Sequence, residues 1–148
     1  MRFNDDAMNL REGIRLLERK LGILGKTDAS CCGVTSAQCH AIVEIGRAKS
    51  LSLNELAQML NLDNSTMSRT VNNLVNSRLA ERNSDPADRR YVTIRLTLDG
   101  EKVFQSIEER MNLYYKKVFD RMPAEKRSQV IESLGILMEA MNEKDCCD

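Results

Sequence analysis

Leu62–Gly100 reads LDNSTMSRTVNNLVNSRLAERNSDPADRRYVTIRLTLDG, and the fold is decided inside it. Asp63 suits a helix N-cap, because its carboxylate accepts from backbone N–H groups that have no partner in the first turn. Met67, Val71, Leu74 and Val75 then recur at helical spacing. The leading polar face carries Ser65, Thr66, Ser68, Arg69 and Asn72. After Asn76 the period changes. Leu79-Ala-Glu-Arg82 is short and extended, and Asn83–Asp88 carries turn chemistry around Asp85-Pro86. From Tyr91 to Leu98, Val92, Ile94, Leu96 and Leu98 alternate with Tyr91, Thr93, Arg95 and Thr97, the period of a half-buried strand. A polar-faced helix followed by a two-stranded ribbon with Arg89 and Arg90 at its tip has the outline of a recognition helix and a wing.

The flanks extend that outline. Thr35-Ser-Ala-Gln38 is a capping box and opens a helix to about Lys49, with Ala41, Ile42 and Ile45 inward. Ser52-Leu-Asn-Glu55 is a second box, opening a short helix whose inward side is Leu56, Ala57 and Leu60. Asn61-Leu62 is the turn into the central helix, so the two short helices read as helix-turn-helix. On the N-terminal side, Leu10, Ile14, Leu17, Leu21 and Leu24 form a heptad-like stripe. Gly22, Gly25 and Lys26-Thr27-Asp28 are expected to end that helix, leaving DASCCGV as a loop. On the C-terminal side, Thr97 caps a long helix from about Asp99 to Met122, with Val103, Ile107, Met111, Tyr114 and Val118 as its seam. Pro123 suits the first position of a last helix bearing Val130, Leu134, Leu137 and Met141, and the chain closes in a polar tail. The expected fold class is mainly α with a small two-stranded β-wing. A single domain over 1–148 holds dimerisation helices at about 5–25 and 101–144, around a winged helix-turn-helix at about 35–98.

Composition agrees. Of 148 residues, 42% are hydrophobic and 30% charged, which suits a soluble globular chain with a core. The formal net charge is zero, so affinity for nucleic acid has to come from a local patch. Arg69, Arg78, Arg82, Arg89, Arg90 and Arg95 crowd the central stretch against Glu81, Asp85 and Asp88. No run reaches membrane-span length, and the charged start MRFNDDAMNLREG is unlike a signal peptide, so a cytoplasmic protein with no membrane partner is expected. No Gly-rich phosphate loop and no nucleophile–base pair stands out, and one histidine leaves acid–base chemistry poorly supplied, so an enzyme is not expected. A winged helix used only for protein contact would lack salt-dependent DNA binding.

With these elements in order, nearly the whole chain resembles the MarR family of bacterial winged-helix regulators. VTSAQCHAIVEI resembles the family's LTxxQxxxLxxI helix opening, and DPADRR-x5-LTxxG resembles its wing and the start of the next helix. The resemblance implies a homodimer with intertwined terminal helices, binding a pseudo-palindromic operator in double-stranded DNA as a repressor released by a small signal. It places Ser65, Thr66, Ser68 and Arg69 against the major groove and its phosphates, with Ser52 as a further contact. It matches Asp88 and Arg90 to a wing-tip D-x-R, in which the Asp orients an Arg that enters the minor groove. Arg89 is a phosphate candidate. The chemistry stands apart from the name: hydroxyls and helix N-terminal N–H groups hold phosphates, an Arg takes guanine bidentately, and Asn72 suits adenine.

The five cysteines lie outside the resemblance. They fall as Cys31-Cys32, Cys39 beside His40, and Cys146-Cys147. An odd number without CxxC spacing argues against a disulfide framework or a standard zinc knuckle. Thiolates with one imidazole suit Zn(II) or As(III), and thiols also suit oxidation, so a thiol-based signal is one expectation, with no cofactor required. Cys39 also suits a small buried hydrophobe, and His40 a surface position. The alternative is a repressor released by an aromatic or lipophilic small molecule, with the cysteines incidental.

Overall fold

A computed structural model describes residues 3–142, with the side chains of 3–5 and 22–32 left out of the description. The chain packs as two compact units, Met1–Glu108 and Glu109–Asp148. The elements in order are α1 (Phe3–Cys32), α2 (Ser36–Ala48), β1 (Leu51–Ser52), α3 (Leu53–Met59), α4 (Asn64–Asn76), β2 (Ala80–Ser84), β3 (Val92–Leu96), α5 (Leu98–Arg121) and α6 (Arg127–Met141). Among the described residues no helix is long and apolar enough to cross a membrane.

Caps set most of the boundaries. The Thr35 hydroxyl accepts from the Gln38 N–H at 3.2 Å, and the Gln38 side chain accepts from the Thr35 N–H at 3.0 Å, so the box that opens α2 is complete. The Ser52 hydroxyl accepts from the Glu55 N–H at 3.1 Å and starts α3. Asn61 takes the left-handed conformation, with φ at 52°, in the turn between α3 and α4. Thr97 ties the wing to α5. Its hydroxyl accepts from the Gly100 N–H at 3.1 Å and donates to the Arg78 carbonyl at 2.7 Å.

The core of the first unit lies where the apolar faces of α2, α3 and α4 meet the sheet. Ile42, Ile45, Leu56, Met67, Val71, Leu74 and Ile94 are fully buried, each worth about 1.5–3 kcal/mol of transfer free energy. Thr70, buried among them, donates its hydroxyl to the Thr66 carbonyl one turn back, so its polarity is satisfied. Val75, expected inward, is half-buried.

One expectation is extended and two are corrected. The two-stranded ribbon β2–β3 is present, and a third antiparallel strand joins it in the order β1-β3-β2, because Leu51 and Ser52 pair with Ile94 and Thr93. Two residues are too few to show a period in sequence. The first helix does not end at Gly22–Asp28, and Cys31-Cys32 is not in a loop; the helix runs to Cys32. Interior glycine costs a helix only about 1 kcal/mol per residue, and no proline enforces a stop. The stop is Gly33, whose φ of 72° is the left-handed turn that glycine adopts without steric penalty. Finally, Pro123 does not open the last helix directly. It precedes a 3-10 turn, Ala124–Lys126, and α6 begins at Arg127. Arg127 fixes this turn by donating to the Asp120 and Met122 carbonyls at 3.1 and 3.2 Å, with its guanidinium 5.2 Å from the Phe119 ring.

Candidate nucleic-acid interface

The candidate interface is built on α4 and on the β2–β3 ribbon. Burial of Met67, Val71 and Leu74 turns the opposite face of α4 outward, and that face carries Ser65, Ser68, Arg69 and Asn72. Ser65, Arg69 and Asn72 are exposed, while Thr66 and Ser68 are half-buried. Ser52, also half-buried, sits one helix earlier as the α3 cap.

The front of α4 is organised around its cap. Asp63 accepts from the Ser65 hydroxyl, the Thr66 hydroxyl and, at 3.3 Å, the Thr66 N–H. These bonds favour the charged form, and they lower the Asp63 carboxyl from 3.8 to about 2, Ser65 contributing most and the Thr66 hydroxyl next. Both hydroxyl protons are therefore spent on the cap in this conformation. Their oxygens remain acceptors, which a phosphate does not seek. Arg69, the Ser68 hydroxyl and the backbone N–H groups at the start of α4 are among the donors left for phosphate on this edge.

The ribbon ends in a turn locked by its own polar groups. The Asp85 N–H donates to the Tyr91 carbonyl at 2.9 Å, the Tyr91 N–H to the Asp88 carbonyl at 3.0 Å, and the Ala87 N–H to the Asp85 carboxylate at 2.9 Å. Asp88 accepts from the Arg90 backbone N–H at 3.1 Å and lies 3.8 Å from the Arg90 Nε. The Arg90 side chain is 94% exposed, so that ion pair orients the guanidinium without burying it. Arg89 is exposed beside it.

One interface residue escaped sequence reasoning. Arg82, on β2, donates from Nη2 to the Oδ1 of Asn72 across on α4. The signal for it was present: β2 alternates, so Arg82 shares the face of buried Ala80.

Of the cysteine and histidine candidates, only Cys39 and His40 have side chains among those described. Cys39 is half-buried in the first turns of α2, and His40 next to it is exposed. By backbone, Cys31 and Cys32 close α1, but their side chains lie outside the described ones, as do Cys146 and Cys147 altogether. Among the described residues no three His, Cys, Asp or Glu side chains converge as a metal site would require.

Comparison with known proteins places this architecture. Residues 33–90 match the MarR family. The uncharacterized HTH-type transcriptional regulator YdgJ of Bacillus subtilis (strain 168) is 22% identical over 120 residues, covering 81% of this chain and 73% of YdgJ. A MarR family protein from Bacillus stearothermophilus superposes with a TM-score of 0.84 at 21% identity, covering 95% of this chain and 98% of its own. Streptococcus pneumoniae FabT, solved in complex with DNA, superposes at 0.79 with 21% identity, covering 90% and 97%. At these identities the structural likeness is one of fold. The matched helix-turn-helix and wing sequence adds to it: over residues 33–90 the chain is similar to the MarR family, and YdgJ, similar over a longer span, is an HTH-type transcriptional regulator.

Proposed function

We propose that the protein acts in the cytoplasm as a homodimeric repressor on a pseudo-palindromic operator, with α4 in the major groove and the wing tip in the adjacent minor groove. The observation that carries this reading is the wing tip. A guanidinium 94% exposed on a thin ribbon, steered by Asp88, fits a narrow and electronegative minor groove. The outward face of α4 adds Arg69 and Asn72, side chains that suit base edges. FabT, of the same fold, is seen bound to DNA.

Dimerisation is supported by apolar surface that the chain alone leaves uncovered. Leu10, Leu17 and Leu21 of α1 are exposed, as are Val130, Leu134 and Met141 of α6. Such stripes on long terminal helices suit burial against a second copy, and a two-fold dimer reads a palindrome.

The signal is assigned to thiols. Cys31 and Cys32 close α1 just ahead of the Gly33 break, and Cys39 lies within two turns of the start of α2. Ligation of Zn(II) or As(III), or oxidation, at this junction would bias how α2 meets α1. Such a ligand releases DNA only if it binds the DNA-incompetent state more tightly. Thiolate ligation would also weaken as pH falls.

The test is anisotropy of the reduced chain on duplex DNA, titrated with arsenite and with zinc. The Cys31→Ser, Cys32→Ser double variant is expected to bind DNA normally and lose the response. An unchanged response in that variant refutes the thiol assignment and moves the signal to an organic ligand.

A further inference from the structure

We propose that Arg82 sets the base preference of the α4 helix by occupying the carbonyl of Asn72, an inference that rests on the DNA-binding reading above. Buried Ala80 and Arg82 share the face of β2 that packs toward α4. From there the Arg82 side chain crosses to the outer face of the helix, and its Nη2 donates to Asn72 Oδ1. Asn72 belongs to the stripe Ser65, Ser68, Arg69 and Asn72, at i, i+3, i+4 and i+7. Asn72 and Arg82 are both exposed, so the pair is offered to whatever the helix meets and is no part of the core.

The pair has a direction. A guanidinium carries donors only, so the Asn72 amide lies with its oxygen toward Arg82 and its Nδ2 turned away. An unencumbered asparagine reads adenine with two bonds, accepting from N6–H and donating to N7. With Arg82 on Oδ1, the accepting half is taken. The oxygen keeps a second lone pair, but an adenine amino group that approaches it meets the N–H groups of the guanidinium on the same edge. What Asn72 and Arg82 jointly present is a row of donors. A row of donors matches O6 and N7 of guanine or O4 of thymine. Arg82 thus turns an adenine reader into a reader of acceptor-rich edges and acts as a specificity-determining residue.

The experiment is selection from duplexes randomised across each half-site, run with the whole 148-residue chain and with Arg82→Met, Arg82→Lys and Asn72→Ala. Salt-titrated anisotropy on a fixed nonspecific duplex accompanies it. Wild-type protein is expected to prefer guanine or thymine at one position per half-site. Arg82→Met should shift that position toward adenine by about tenfold or more. Arg82→Lys, still a donor to Oδ1, should keep the wild-type preference. Asn72→Ala should erase it, and Arg82→Met added to Asn72→Ala should restore no adenine preference. Identical preferences in wild type and Arg82→Met overturn the proposal. So does a uniform loss across all sequences with a shallower salt slope, which would make Arg82 a phosphate contact. A wild-type chain without affinity for any duplex would overturn the DNA-binding reading itself, and the nonspecific titration separates that failure from the other two.

Discussion

Gly100→Ala should cost this protein much of its stability. Gly100 is buried in the first turn of α5, where a Cβ would lie 1.9 Å from the Leu79 carbonyl oxygen, 3.0 Å from its carbon and 3.2 Å from the Leu96 Cβ. Relieving the first contact to even 3.0 Å moves the helix start at least 1.1 Å from the Leu79 carbonyl. The obstacle is backbone, and the same carbonyl accepts from the Thr97 N–H at 3.1 Å. The Thr97 hydroxyl bonds to the Arg78 carbonyl and the Gly100 N–H would stretch with it. Overpacking of about 1–3 kcal/mol, plus about 1 kcal/mol for each hydrogen bond lost, puts the total at roughly 2–5 kcal/mol. That is a large share of the roughly 5–15 kcal/mol typical of a folded domain. Urea unfolding followed by far-ultraviolet circular dichroism, at fixed protein concentration, measures it. Gly13→Ala is the matched control. Gly13 is exposed on α1 with nothing within 4 Å of the added carbon, so that variant should gain about 0.5–1 kcal/mol. A Gly100→Ala chain within about 0.5 kcal/mol of wild type would refute the packing described for the wing–helix junction.

Arg90→Ala should weaken operator binding by about 1–3 kcal/mol, lower the salt slope by about one per wing, and leave the unfolding midpoint unchanged. Unaltered affinity in a binding titration would remove the wing tip from the mechanism. Leu134→Asp should give a folded monomer or an unfolded chain by light scattering and circular dichroism, since it places an unpaired charge in the proposed seam; a stable dimer would contradict that seam. Asp63 supplies a pH dependence. Its carboxyl is at about 2 when folded against 3.8 otherwise, so its contribution is complete above 3.8 and fades as pH falls through about 2. Acid titration of Asp63→Asn, which cannot ionise, should show less loss of helix in that window than wild type, and identical curves would sink the assignment.

The parts of the fold readable from sequence were those with a strong period or a cap. Asp63, Thr35 and Ser52 announced helix starts because short polar side chains at those positions satisfy free N–H groups, and each does so here. Val92, Ile94 and Leu96 announced a strand by alternation, and β3 spans them. The end of α1 was not legible, because Gly22 and Gly25 look like breakers and are tolerated in a helix, whereas the left-handed turn falls at Gly33. The candidate interface was legible as a list of side chains on one helix face and one turn. Its internal commitments were not, since hydrogen bonds from Ser65 and Thr66 to Asp63, and from Arg82 to Asn72, compete with DNA and carry no period.

Fluorescence anisotropy of the reduced chain on the duplex upstream of its own coding sequence, repeated across a salt series, bears on every part of this account. One dimer should saturate each site at nanomolar affinity or better near physiological salt, with log affinity falling linearly in log salt at a slope of several, as phosphate contacts release counterions. Absent binding, or affinity indifferent to salt, would contradict a role for α4 and the wing in reading DNA.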